Sequence, residues 1–386
     1  MLLLHVLFLA IGAASAATAA TSKLASRDAP LLKPDRDEFY QTPAGFESKP
    51  PGAILRKRAV PYPIDATLEG APVGYASAHQ VLYRTTDSFG KAIATVTTVI
   101  EEAANLGCAP SYTLQQGAEQ KTHLDDLLAG LQSGSINDAL KKDANNPAGY
   151  ATLDGIRATL ASSSFTSISA HATSLIWGYS SGSLSGGFAA ELQPKYAPEL
   201  NLAGAALGGT IPDILNALLT VNKGFYAGII AIGIIGLKNE YPKIASLIES
   251  QLVPSKADAL GLAKKQCLGG AIQSFQNQDI FDYVKDRTIF NSTQVKEVLD
   301  ANNMSHAAPS IPLLIYKAGS DETSPATDTD RLVQFYCKQK TSVEYVHVSG
   351  AEHLSLLTDS APRASAWLKS RFDGLVKEGC TTSATL

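Results

Sequence analysis

The chain has 386 residues, 45% of them apolar and 18% charged, with a mean hydropathy of +0.01. Such a composition excludes a disordered, collagenous or coiled-coil chain and leaves ample material for a large core. Its 32 Lys+Arg against 36 Asp+Glu give a net charge of −4 with no basic stripe, which argues against nucleic acid as a partner.

Residues 1–16 read as a secretory leader: Leu2–Ile11 is apolar apart from His5, and Ala14-Ser15-Ala16 is a small-x-small cleavage pattern. The stretch is too short to span a bilayer. Residues 17–72 carry Pro50-Pro51-Gly52 and Pro61-Tyr62-Pro63 and are expected to form an extended arm. Within it, Arg56-Lys57-Arg58 fits either a processing site or a solvated basic patch. Val73–Thr86 and Ala92–Ile100 are rich in β-formers around Asp87-Ser88-Phe89-Gly90, a hairpin signal.

Farther on, His123–Leu131 and Ile136–Lys142 suggest short polar helices, and Ala151–Leu160 a better amphipathic one. Ser174–Trp177 reads as a buried strand, Ser183–Leu192 as a helix ending near Pro194, and Ile311–Tyr316 and Val343–Val348 as two further strands. Strands alternating with helices imply a mainly parallel sheet covered on its faces. Residues 73–209 and 309–386 would form that body, and 210–308 a helical cap inserted into it. The cap contains the apolar run Gly224–Leu237, which is either a buried core helix or a lid helix lining an apolar pocket.

Gly178-Tyr179-Ser180-Ser181-Gly182 matches G-x-S-x-G, the nucleophile elbow. A sharp strand-to-helix turn lifts the serine hydroxyl above the sheet, which predicts glycine on both sides because neither position has room for bulk. A serine nucleophile needs a base, and the base an orienting carboxylate, in chain order Ser, acid, His. Asp321 follows the strand Ile311–Tyr316, and His353 follows Val343–Val348. Among competitors, Glu322 would point differently and Asp328 and Asp330 fall on a following helix. His347 lies inside a strand, and His79, His123, His171 and His306 precede the acid. The expected chemistry is acyl transfer: Ser180 attacks an ester carbonyl, His353 moves the proton and Asp321 holds the imidazole tautomer. One oxyanion donor should be the backbone N–H of Ser181. This chemistry needs no metal or organic cofactor.

Four cysteines, Cys108, Cys267, Cys337 and Cys380, include no C-x-x-C and suggest two disulfides in an oxidising compartment. Asn291-Ser292-Thr293 and Asn303-Met304-Ser305 are glycosylation sequons.

Between Asp37 and Phe372 stand Phe39-Tyr40, Pro51-Gly52-Ala53-Ile54-Leu55-Arg56 and Cys108-Ala109-Pro110-Ser111-Tyr112. Leu153-Asp154-Gly155-Ile156-Arg157, Trp177-Gly178-Tyr179-Ser180 and Tyr196-Ala197-Pro198-Glu199-Leu200 follow. On these segments the chain resembles the fungal secretory lipase family, a group of α/β-hydrolases that also includes trichothecene esterases. The resemblance implies an α/β-hydrolase fold with a helical cap, a triad on Ser180, Asp321 and His353, and disulfides Cys108–Cys267 and Cys337–Cys380. It also places Glu102 where the family carries an Asp, as the second oxyanion group. Two stretches that are strands in the family, one near Glu101-Glu102 and one at Leu131–Ala148, are polar here, so an incomplete central sheet is expected.

The leading functional expectation is a secreted serine hydrolase of esters with apolar acyl groups, touching lipid interfaces transiently and needing no obligate protein partner. The alternatives are a short-chain carboxylesterase that deacylates a fungal metabolite and a truncated, inactive lipid-binding member.

Overall fold

The computed structural model describes residues 37–60, 75–102, 112–115, 145–266 and 268–385. The leader, His123–Leu131, Ile136–Lys142, Cys108 and Cys267 lie outside the described residues.

Strands β1 (Ile54–Ala59), β2 (Tyr75–Thr86), β3 (Ala92–Glu102) and β4 (Tyr112–Gln115) pair antiparallel in that order. The β2–β3 turn forms because Asp87 Oδ1 accepts from the N–H groups of Phe89 (2.9 Å) and Lys91 (2.7 Å), the side-chain-to-backbone bonding that makes Asp a turn residue. The expectation of an extended arm fails over residues 37–59. Phe39 is buried, and Ile54–Ala59 is the edge strand of this sheet. Its charges obscured it, yet edge strands tolerate charge because one side faces water. Arg58 pairs with Asp37 Oδ2 at 2.8 Å and stacks on the Phe39 ring, so the Arg56-Lys57-Arg58 run is a strand segment.

Helix α1 (Asn145–Leu160) leads to a second sheet of five parallel strands. It begins with β5 (Ser174–Tyr179), α2 (Ser181–Tyr196) and β6 (Leu202–Gly208). Next come the cap helices α3 (Ile214–Val221), α4 (Gly228–Glu240), α5 (Pro242–Gln251), α6 (Ala257–Ala263), α7 (Leu268–Phe275) and α8 (Thr293–Ala301). The sheet then resumes with β7 (Leu313–Ala318), α9 (Ala326–Lys338), β8 (Val343–Val348), α10 (His353–Asp359), α11 (Ala361–Phe372) and β9 (Cys380–Thr385). Strand order is β5-β6-β7-β8-β9. Cys337 at the end of α9 is disulfide-bonded to Cys380, which anchors the edge strand β9 as the resemblance implied.

Among the described residues the two sheets share no strand pairing, and most of Leu131–Ala148, where an interruption was expected, lies outside them. Helix α1 spans the seam instead. Asp154, fully buried, accepts from Thr85 Oγ1 of β2 (2.6 Å), Tyr196 Oη of α2 (2.9 Å) and Arg157 Nη1 (2.7 Å). Tyr83 Oη of β2 donates to Ala151 O at 2.7 Å, and Val81, Tyr83 and Val99 pack on Ala158. Burial pushes the Asp154 carboxyl up, opposed by the Thr85 and Arg157 hydrogen bonds. This explains why Leu153–Arg157 is a recognisable motif: its polar members join two half-sheets. Asp154→Ala is expected to lower unfolding stability by about 2–4 kcal/mol, because three donors lose their shared acceptor in a dry seam. Urea denaturation measures it.

The apolar run is a core helix. In α4, Ile230, Ala231, Ile232, Ile234 and Ile235 are buried, and they form the centre of a cluster made of the cap's own residues, with Leu260, Phe275 and Tyr283. A helix that is apolar all round has no wet face to spare. No helix among the described residues is long and apolar enough to cross a membrane.

Candidate active site

The chain leaves β5 at Tyr179 and enters α2 at Ser181, with Ser180 between them at φ 55°, ψ −117°. A non-glycine residue at positive φ is strained and persists only where its surroundings hold it. Here the N–H of Ser180 donates to Gly208 O at 2.8 Å, and the N–H groups of Ser183 and Leu184 return to Ser180 O. The turn depends on Gly178, where an added Cβ would lie 2.0 Å from Gly182 O. At Gly182 an added Cβ meets nothing within 4 Å, which corrects the expectation that both flanking positions lack room. The crowding is one-sided because the helix backbone folds back over the strand.

The structure brings the three sequence-predicted residues into one chain of hydrogen bonds. Ser180 Oγ lies 2.9 Å from His353 Nε2, and His353 Nδ1 lies 2.8 Å from Asp321 Oδ2. His353 opens α10, and Asp321 sits in the loop between β7 and α9. His353 and Asp321 are buried, while Ser180 is half-buried. The second Asp321 oxygen accepts from Thr323 N (2.9 Å), Thr323 Oγ1 (2.6 Å) and Ser324 N (3.1 Å). Burial alone would raise the Asp321 carboxyl. The hydrogen bond and charge of His353, the charge of Lys317 and the Thr323 hydroxyl outweigh it and hold the group well below the ordinary carboxylate range.

Glu322 accepts from the backbone N–H of His353 at 2.8 Å, so it fixes the loop of the base without touching the ring. Tyr179 Oη donates to His353 O, and its ring lies 5.3 Å from the imidazole. Burial and then the Asp321 charge drive the Tyr179 phenol far above its ordinary range, which keeps it a donor. Tyr226, just before α4, is a cap side chain near this loop: burial first, then the charges of Glu322, Glu352 and Asp321, raise its phenol to about 12.

Ser181 is the first residue of the 16-residue helix α2, and first-turn N–H groups have no partner within their own helix. Glu102 ends β3 opposite Tyr75, in the sheet that does not contain the elbow. Asp328 and Asp330 lie on α9 and His347 in β8, as expected. Of the two sequon asparagines, Asn291 is exposed. Asn303 is half-buried, and its Oδ1 accepts from Ile214 N at 2.8 Å, at the start of α3. Among the described residues no group of three or more His, Cys, Asp or Glu could hold a metal ion.

Sequence reasoning missed Lys317. This lysine has no side-chain exposure, and its Nζ lies 2.9 Å from Asp321 Oδ2 and 2.8 Å from Thr210 O. It closes Leu-Leu-Ile-Tyr-Lys, where a lone cation at the end of an apolar strand was the available signal.

Residues 143–379 match the secretory lipase family. The chain is 42% identical to Lipase A of Arthroderma benhamiae over 396 residues, covering 93% of this chain and 84% of that one. It is 32% identical to Lipase 1 of Candida albicans, covering 91% and 83%. Its fold is similar to the crystal structure of Candida antarctica lipase A in its closed state, with a TM-score of 0.74 at 24% identity over 93% of this chain and 91% of that one. An elbow serine in reach of a histidine and a buried aspartate, on this fold and with these relatives, leads to one conclusion: the chain belongs to the secretory lipase family.

Proposed function

We propose that the protein is an extracellular, lipase-like serine hydrolase that cleaves carboxylic esters with apolar acyl groups. The observation that carries this is the unbroken contact from Ser180 Oγ through His353 to Asp321. As Ser180 Oγ forms its bond to the ester carbonyl carbon, its proton passes to His353 Nε2. The tetrahedral oxyanion is met by the Ser181 N–H at the start of α2, aided by the helix dipole. The carbon–oxygen bond to the alcohol then breaks, and the alcohol departs with the proton from Nε2. Water repeats the sequence on the acyl-enzyme and releases the carboxylic acid. Asp321 stays ionised throughout and holds the Nδ1–H tautomer. Glu102 remains a candidate for supplying the second oxyanion donor, in line with the family resemblance.

Apolar acyl specificity is supported by the lipase names of the relatives and by exposed apolar side chains near the site. Leu354, beside the base, is 40% exposed, and Phe225, beside Tyr226, is 56% exposed. Such side chains suit a lipid interface better than free water. Cleavage after Ala16, disulfide pairing of Cys108 with Cys267 and glycosylation at the exposed Asn291 fit an exported protein. Attachment at Asn303 would strain its contact with Ile214.

A series of p-nitrophenyl esters from acetate to palmitate tests the assignment. The highest kcat/KM is expected at medium or long chains. A maximum at acetate would indicate the short-chain carboxylesterase, and no turnover at any length would indicate the inactive member.

A further inference from the structure

We propose that Lys317 is a positioning residue of the hydrolytic machinery, a buried cation that shares the catalytic oxygen of Asp321 with His353 and sets the pH range over which the base works. This rests on the reading of Ser180, His353 and Asp321 as the triad.

β7 is buried along its whole length. Leu313 and Ile315 pack into one body core, and Lys317 is two residues farther along the same strand, where an aliphatic side chain would be the ordinary choice. A buried ammonium is costly unless paired and hydrogen-bonded. Lys317 meets that condition with two oxygens from different parts of the chain: Asp321 Oδ2 at 2.9 Å and Thr210 O, at the entrance to the cap, at 2.8 Å. The same Oδ2 receives His353 Nδ1 at 2.8 Å. The oxygen that orients the base therefore already has a second partner, the Lys317 ammonium.

Two effects follow. Lys317 and the Thr323 and Ser324 donors occupy both carboxylate oxygens, so the group cannot rotate away from Nδ1. In addition, a fixed positive charge behind the carboxylate opposes a second one forming on the imidazole. Without Lys317, Asp321 would stabilise a protonated His353 unopposed, and the site would lose its base at a higher pH.

The other charges facing these groups leave this argument intact. Asp328 and Glu322 also act on Lys317. Asp328 is itself held by Asn216 and Arg331, with Asp213 nearby. Glu322 bonds the His353 backbone, the Tyr179 and Tyr226 phenols remain neutral, and His347 stands beside Gly319. Burial pulls the Lys317 ammonium below its ordinary value, and Asp321 opposes that pull most strongly.

The test is kcat/KM and kcat against pH for Lys317→Met, which keeps length and approximate volume, with a soluble p-nitrophenyl ester. The acid limb is expected to move to higher pH by about one unit, with kcat at the plateau falling about tenfold and KM changing less than about twofold. A folded, active Lys317→Met with an unmoved acid limb overturns the inference. Lys317→Gln provides a second measurement if Lys317→Met does not fold: the same upward move of the acid limb relative to wild type is expected, and an unmoved limb overturns the inference as well. Ser180→Ala distinguishes the two levels: turnover that survives it removes the triad reading itself, whereas an unmoved limb removes only the role of Lys317.

Discussion

Ser180→Ala is expected to lower kcat by about 10^4- to 10^6-fold, with KM and thermal stability nearly unchanged. The size of the loss follows from the contact geometry. Ser180 Oγ is the atom within 2.9 Å of Nε2, and the triad works as a unit, so removing one member disables the others. Stability should hold because the elbow is kept by main-chain bonds, the Ser180 N–H to Gly208 O and the Ser183 and Leu184 N–H groups to Ser180 O, which alanine retains. Steady-state ester hydrolysis and calorimetry on the same preparation check both halves. A variant with a tenth or more of wild-type kcat would remove Ser180 as the nucleophile.

The second large effect concerns the turn. Gly178→Ala is expected to cost about 1–3 kcal/mol of stability and at least 10^2-fold in kcat. The added Cβ would sit 2.0 Å from Gly182 O, 2.4 Å from Gly182 C and 2.7 Å from Ser183 N, all main-chain atoms of the helix that presents the nucleophile. These cannot swing aside as a side-chain tip would. Strand and helix must part, and Ser180 moves with them. Gly182→Ala serves as the control, with a stability change within about 0.5 kcal/mol, because the space around it is open. Equal damage from both substitutions would contradict the one-sided crowding.

The legible parts of this protein were those whose chemistry is local in the chain. The elbow could be read because a strand, a turn and a helix follow one another within a few residues. Asp321 and His353 could be read because each comes directly after an apolar strand. The hairpin was marked by Asp87, whose side chain makes the turn. What escaped depends on contacts between distant segments. β6, Leu-Ala-Gly-Ala-Ala-Leu-Gly, has no β-branched residue and owes its strand to a central place in the sheet between β5 and β7. β9 is short and polar and is tied in by Cys380. β1 was obscured by its arginines, which find partners only after folding, Arg58 with Asp37 and the Phe39 ring and Arg56 with Glu38 O. Lys317 was passed over because its meaning lies in an oxygen four residues away in sequence and a carbonyl at Thr210. The apolar run of α4 carried two readings because periodicity cannot distinguish a core helix from a lid. Packing against Leu260, Phe275 and Tyr283 makes it the core of the cap.

The central claim is that Ser180 forms a covalent acyl-enzyme, and active-site labelling tests it most directly. Incubating the protein with a p-nitrophenyl alkylphosphonate should release one equivalent of p-nitrophenol and leave one phosphonyl group on the chain. Peptide mass spectrometry should place it on Ser180, and Ser180→Ala should take up none. A protein that hydrolyses esters yet stays unlabelled, or carries the label on another residue, would contradict the account.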